Sequence, residues 1–347
     1  MQPPETIPSW TRWGFLAWFL PLLLLLARPV FGQHATVVLP AGSAEATIQH
    51  ALDTLAYDGE VLLAAGQYEI SRPLLLQRDG AALRGAGATT ILRLADGANC
   101  PAVILGPPVD KPKLTVSHLR LSNLIIDGNR THQKREAWRT APGGFLINNN
   151  GVHVWNAANV TVERVYCCRC RSGGMVVADV VHLQVRDFHS YDNQFDGLAC
   201  YNTTDSRFEG LRLHDNVAAG ISLDLDFNHN VITNAILTAN DLGIFMRDSR
   251  DNLFQKVTVI RSKHDGVFMA QSVAPTGNGW QLLADTECTG NTFEALTVRD
   301  CAGRAFQVND ATCTNNIISG AVFLRNAEGG LNQPGNHPVR LIEMAGR

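Results

Sequence analysis

Gly151-Val-His-Val, Gly174-Met-Val-Val, Gly197-Leu-Ala-Cys, Gly220-Ile-Ser-Leu, Gly243-Ile-Phe-Met and Gly266-Val-Phe-Met recur along the chain, each glycine 23 residues after the last. A short fixed period marks a stacked-repeat architecture, in which each unit buries its apolar face only against its neighbours. The 23-residue unit is too short for two helices and a turn. It is rich in β-formers and lacks helical periodicity, so three short strands joined by turns fill the length. Each repeat therefore reads as one coil of a parallel β-helix.

Columns at fixed offsets support this. Eleven residues after each glycine come Val162, Val185, Phe208, Val231 and Phe254, and sixteen after come Cys167, Ser190, Leu213, Ile236 and Val259. Stacking places such residues above one another at about 4.8 Å, so their side chains fill the tube. A polar column at offset eight holds Asn159, His182, Asp205, Asn228 and Asp251. Short polar side chains suit turns, where they bond neighbouring backbone.

Two coils carry extra residues. Asn252 and Asn291 head similar strings 39 apart, and Asn123 and Asn159 head another pair 36 apart. The insertions fall around 271–288 and around 130–143. One follows a glycine-led strand and the other precedes one, so both border the same face. Insertions gathered on one face of a repeat array often mark the binding face.

The chain has 347 residues and a formal charge of −3, with no basic run, which argues against a nucleic-acid partner. Residues 15–27 form an apolar run after Arg12, ending near Val30-Phe31-Gly32. This reads as a secretory signal over residues 1–32, too short for a spanning helix. The mature chain, 33–347, is expected as one domain, secreted or periplasmic, with no membrane segment after signal removal. Thr47-Ile48-Gln49-His50-Ala51-Leu52 has helical spacing and is expected to cap the open end of the first coil.

Ile48-Gln49-x-x-Leu52, Gly66-x-Tyr68, Leu83-Arg84-Gly85-x-Gly87 and Ile126-Asp127-Gly128-Asn129 resemble the opening of the pectin-lyase-like superfamily. The resemblance implies a secreted, single-stranded right-handed parallel β-helix. It also implies polysaccharide lyase, glycoside hydrolase or uronate epimerase chemistry. Asn193-Gln-Phe-Asp196-Gly197 echoes the first element of the polygalacturonase signature, but the paired-Asp, Gly-His-Gly and Arg-x-Lys elements are missing at the expected coils.

Side chains alternate along a strand, so the first and third residues after each glycine point inward and the second and fourth outward. The outward fourth position reads Trp155, Ala178, Tyr201, Asp224, Arg247 and Ala270. Tyr201, Asp224 and Arg247 fall on consecutive coils, giving a phenol, a carboxylate and a guanidinium suited to acid–base work, or a plain surface ion pair with a tyrosine beside it. Asp224 and Asp226 are two apart and expected on one face. That pair can hold Ca²⁺ through hard oxygens or cleave a glycosidic bond. Lys263-His264 precedes Gly266, and each can serve as a base if its pKa is lowered. Trp138, Trp155 and Trp280 lie on or beside the same strands and suit sugar rings, unless the inserted loops bury them as a satellite core. Eight cysteines are expected as buried thiols with at most one or two bridges, one of which could staple the second insertion.

The expected function is β-elimination on a uronic-acid polysaccharide. Arg247, Lys263 or His264 would act as base or charge neutraliser, Tyr201 as proton donor, and Asp224 and Asp226 as calcium ligands. A glycoside hydrolase using Asp224 and Asp226, or a non-catalytic glycan-binding β-helix, are the alternatives.

Overall fold

The computed structural model describes residues 35–109, 115–134, 137–140, 146–276, 279–335 and 339–342. The signal expected over 1–32 lies outside them. The chain forms a right-handed parallel β-helix of about 12 turns with 5% helix. No helix among the described residues is long and apolar enough to cross a membrane.

One wall of the tube is the glycine-led ladder. Its central rungs are Val152–Ala158, Met175–Val181, Leu198–Thr204, Ile221–Asp224, Ile244–Arg247 and Val267–Ala270, each parallel to the next. The rest of the tube is a second sheet that takes two short strands from each coil, such as Val231–Thr233 and Ile236–Thr238. Side chains from all walls meet inside, and Phe254 and Phe293 stack there with ring centroids 4.5 Å apart.

The glycines recur for a steric reason. A Cβ on Gly220 would lie 2.9 Å from the carbonyl oxygen of Gly243, and one on Gly243 would lie 2.3 Å from that of Gly266. Each coil bends so close to the next that only hydrogen fits between them. Two internal ladders of amides fix the same stacking. Asn230, Asn252, Asn291 and Asn316 are buried, and each Nδ2 donates to the Oδ1 of the next at 2.9–3.2 Å. Asn193, Asn216 and Asn240 form the second ladder at 2.9 Å.

The register differs from the fixed-offset expectation in one coil. Ile232, not Val231, continues the column Val162, Val185, Phe208, Phe254, and Leu237, not Ile236, lies between Leu213 and Val259. Ile236 is exposed instead. Likewise His229, not Asn228, joins Asn159, His182, Asp205 and Asp251 in the left-handed turn column, with φ between 51° and 58°. The coil gains one residue at Leu225-Asp226, both left-handed, and loses one in the turn after Asn240, where the next bond pairs Asp241 with Ala218. Gain and loss cancel, so the glycine spacing conceals both.

Helix Glu45–Thr54 packs Ile48, Ala51 and Leu52 onto the first strands. The Gln49 amide bonds both the N–H and the C=O of Leu75, at 2.8 and 3.1 Å, satisfying an otherwise open strand edge. The two insertions each form an antiparallel hairpin: Ala137–Thr140 with Leu146–Asn148, and Val273–Thr276 with Gly279–Leu282. The eight cysteines are buried and unbridged, so no pair staples the second insertion.

Replacing Gly243 with Ala forces the Gly266 carbonyl to move and is expected to cost about 1–3 kcal/mol of stability. Gly335→Ala faces open space and is expected to stay within about 0.5 kcal/mol of the parent. Urea unfolding midpoints of the two variants test the difference.

Candidate functional site

Tyr201, Asp224 and Arg247 stand on three successive rungs of the glycine-led ladder, pointing away from the tube. They line one cleft of about 230 Å³ together with Asp196, Phe245 and Asp241. Stacking brings them there: Tyr201 pairs with Asp224 in register, and Arg247 follows on the next rung.

Asp224 is buried and fully engaged. Its Oδ2 lies 2.7 Å from Arg247 Nη2, while its Oδ1 accepts from the Ser272 hydroxyl at 2.7 Å and the Leu225 N–H at 2.9 Å. The Arg247 guanidinium also lies over the Phe245 ring, 4.9 Å from its centroid. Phe245 stacks in turn on Phe268. Asp196 has no cation partner among the described residues: it is 3% exposed and its Oδ1 accepts from the Ala219 N–H at 2.9 Å. Burial pushes its carboxyl up to about 7, against the single backbone hydrogen bond. Burial, with Asp196 and Asp224 nearby, also pushes the Tyr201 phenol well above the ordinary tyrosine value.

The remaining expected residues are not assembled as alternation predicts. The strand ends at Asp224, and Leu225 and Asp226 are both left-handed. Alternation stops there. Asp226 is exposed, outside the cleft lining, with its N–H bonded to Asp248 Oδ2 at 3.1 Å. Trp155 is sealed rather than open: it is 1% exposed, and its Nε1 donates to Asp179 Oδ2 at 2.9 Å. Ala178, Trp138 and Tyr201 close over it as a satellite core beneath the first hairpin's strand. Beside it, burial lowers the His153 imidazole to about 3, so it stays neutral. The Trp280 side chain lies outside the described residues. Lys263 is exposed and does not line the cleft; His264 bonds Asp241 Oδ1 at 3.0 Å and so touches the cleft's rim.

A family model described as NosD, periplasmic copper-binding protein, matches residues 122–335. The chain belongs to this family. No curated protein matches it. Among solved structures it is similar to a polygalacturonase from Erwinia carotovora ssp. carotovora, at 13% identity and TM-score 0.59, covering 89% of this chain and 96% of that one. It is similar to an alginate lyase from Paenibacillus sp. str. FPU-7, at 12% identity and TM-score 0.58, covering 88% and 99%. It also resembles the N-terminal fragment of bacteriophage Phi29 gene product 12, at 12% identity and TM-score 0.58, covering 86% and 63%. At such identities the likeness is one of fold alone.

Asp196 and Phe245 escape the fourth-position rule. Phe245 and Phe268 occupy the outward second position, where two aromatics in succession are the signal to look for. Asp196 sits in the turn before Gly197, where strand alternation says nothing.

The Asp196 proton has a thermodynamic signature. A carboxyl held at about 7 in the fold and near 3.8 when unfolded binds more proton in the folded state between those values. Its contribution to stability is therefore complete at low pH and falls as pH rises through that window. Asp196→Asn removes the fall. Its stability relative to the parent is expected to increase from about pH 4 to about pH 7 and then level off, as read by urea unfolding across pH.

Proposed function

We propose that this chain is an exported carbohydrate-active enzyme, periplasmic or secreted, that hydrolyses a glycosidic bond in the Asp196–Tyr201–Asp224–Arg247 cleft. The observation that carries this is the opposition of two carboxyls. Asp196 is buried without a cation, its carboxyl lifted toward neutrality. Asp224 is matched by a guanidinium, a hydroxyl and a backbone N–H. A carboxyl raised by burial beside one paired with a guanidinium suits a division into acid and base.

Asp196 delivers its proton to the leaving oxygen of the scissile bond. Asp224, paired with Arg247, accepts a proton from the attacking water or stabilises the positive charge growing on the ring. Tyr201 keeps its phenolic proton and donates a hydrogen bond to a sugar hydroxyl. The partly exposed edge of Phe245 offers apolar contact to a sugar ring. His264, through Asp241, shapes the rim. The family description as periplasmic supports export, and the sugar-acting enzymes among the structural likenesses support a glycan partner.

Elimination from a uronate needs a cation to neutralise the sugar carboxylate. Among the described lining residues Arg247 is the one guanidinium or ammonium, and Asp224 already matches its charge. With Asp196 protonated and Asp224 matched by Arg247, Asp241 leaves the cleft slightly negative, which favours a neutral sugar. Calcium at Asp224 and Asp226 is not part of the proposal, because Asp224 faces Arg247 and Asp226 lies beyond the turn. Copper, named in the family description, does not fit the described residues either. No cluster of three or more His, Cys, Asp or Glu among them is arranged to hold a metal ion. Burial also raises most of the thiols, Cys100 to about 12.

Incubation with neutral and uronate oligosaccharides tests the proposal. New reducing ends from neutral glycans are expected. Asp196→Asn should lower kcat by about 10²- to 10⁴-fold with KM little changed. An ultraviolet-absorbing unsaturated product from uronates would instead establish elimination. Glycan binding without turnover would make the chain a binding module.

A further inference from the structure

A second groove lies on the other sheet, away from the acidic cleft. It has a volume of about 480 Å³ and is lined by His189, Arg212, His214, Asp215 and Arg261, with Ile236 and Thr238 between. The strands stack in register: His189 pairs with Arg212, and Arg212 with Ile236. Arg261 leaves the following rung in a left-handed turn at φ 54°.

The charges in this groove are of opposite balance to those in the cleft. The groove's one carboxylate among the described lining residues, Asp215, has Oδ2 2.7 Å from His214 Nδ1 and stands against two guanidiniums. Arg212 and Arg261 form no ion pair and no side-chain hydrogen bond with any described residue, and both are exposed. Some arginines near this sheet are paired, Arg169 and Arg93 with Asp127, and Arg325 and Arg299 with Asp300, while Arg207 and Arg186, like these two, form no ion pair with a described residue. What sets Arg212 and Arg261 apart is that both line one groove. They sit two coils apart, a spacing of about 9.6 Å along the tube. Flat rings flank them. His214 stacks on Tyr191 with centroids 5.0 Å apart and planes 3° from parallel, and His189 packs on Tyr166 at 4.4 Å. Burial and the Arg212 charge hold His189 in its neutral form more firmly than an ordinary imidazole, so the positive charge of the groove resides on the arginines.

We propose that this groove is a second saccharide site, selective for acidic glycans, in which Arg212 and Arg261 engage carboxylate or sulfate groups while the sugar rings lie across the imidazoles of His189 and His214. Guanidiniums bind such groups through paired N–H donors, and flat rings with polar edges suit pyranose faces. The span between the two arginines suits an oligosaccharide rather than one small ion. The site makes no use of Asp196 or Asp224 and stands whether or not the cleft is catalytic.

Isothermal titration with an oligogalacturonate, a sulfated oligosaccharide and a neutral oligosaccharide of equal length tests the assignment, with inorganic sulfate as the competitor. Binding of one or both acidic ligands at a site that the neutral ligand does not compete for is expected. The Arg212→Ser, Arg261→Ser double variant should lose at least about tenfold in affinity, and added salt should weaken the parent's binding. Which acidic ligand binds identifies the anionic group. Asp196→Asn should bind as the parent does, which separates this site from the cleft. Competition by the neutral ligand, unchanged acidic-ligand affinity in the double variant, absence of acidic-ligand binding, or full displacement by inorganic sulfate at equimolar concentration would overturn it. Arg212 and Arg261 are on the surface, and a circular dichroism melt of each variant matching the parent's confirms that the fold is intact.

Discussion

Close backbone contact between successive coils governs this protein. At the glycine column one coil's Cα hydrogen faces the next coil's carbonyl oxygen with no room for a methyl group. That approach holds the coils at strand spacing, and the asparagine ladders hold them in register by closing the buried amide groups on one another. Buried amides without partners would each cost about 1–3 kcal/mol. Each ladder therefore resists slippage along its whole length. Everything placed on the outer walls inherits this precision, since residues about 23 apart in sequence become lateral neighbours.

Such a scaffold tolerates irregularity only where its effects cancel. The residue gained at Leu225-Asp226 would turn every later inward side chain outward if nothing compensated it. The shorter turn after Asn240 restores the register before the next glycine. Between them the inward columns move by one residue, exposing Ile236 and burying Leu237. The gained residue also ends the strand at Asp224. The carboxylate then sits at a strand terminus, where the Leu225 N–H and the Ser272 hydroxyl reach it. The distortion and the best-anchored side chain of the cleft thus occur together, as at other sites where backbone irregularity re-aims a side chain.

Much of the fold is legible in the sequence because period and alternation are local properties. The glycine interval gives the coil, and alternation from each glycine puts Tyr201, Asp224 and Arg247 on one wall. Where the chain leaves strand geometry, that legibility stops. Leu225 and Asp226 are both left-handed, so counting by two fails there. Trp155 obeys alternation and points outward, yet a hairpin of inserted sequence and the neighbouring coils bury it. What covers an outward residue depends on tertiary packing, which no periodicity records. Asp196 is invisible for a third reason. Its character comes from burial beneath its neighbours, with no motif of its own beyond an incomplete echo of a hydrolase element.

The two outer walls carry opposite chemistry on one rigid tube. The glycine-led wall gathers carboxyls around a single guanidinium that is already matched, leaving an acidic cleft fit to transfer protons. On the other sheet, arginines stand beside stacked aromatic and imidazole rings, with two guanidiniums left unmatched. On the proposed reading an acidic polymer would be drawn to the second surface rather than the first. A glycan with alternating neutral and acidic stretches could therefore lie with its charged part on one wall while a neutral linkage occupies the cleft on the other. Since the tube does not bend between them, the distance along such a chain from anchor to scission would be set by the coil geometry rather than by any moving part.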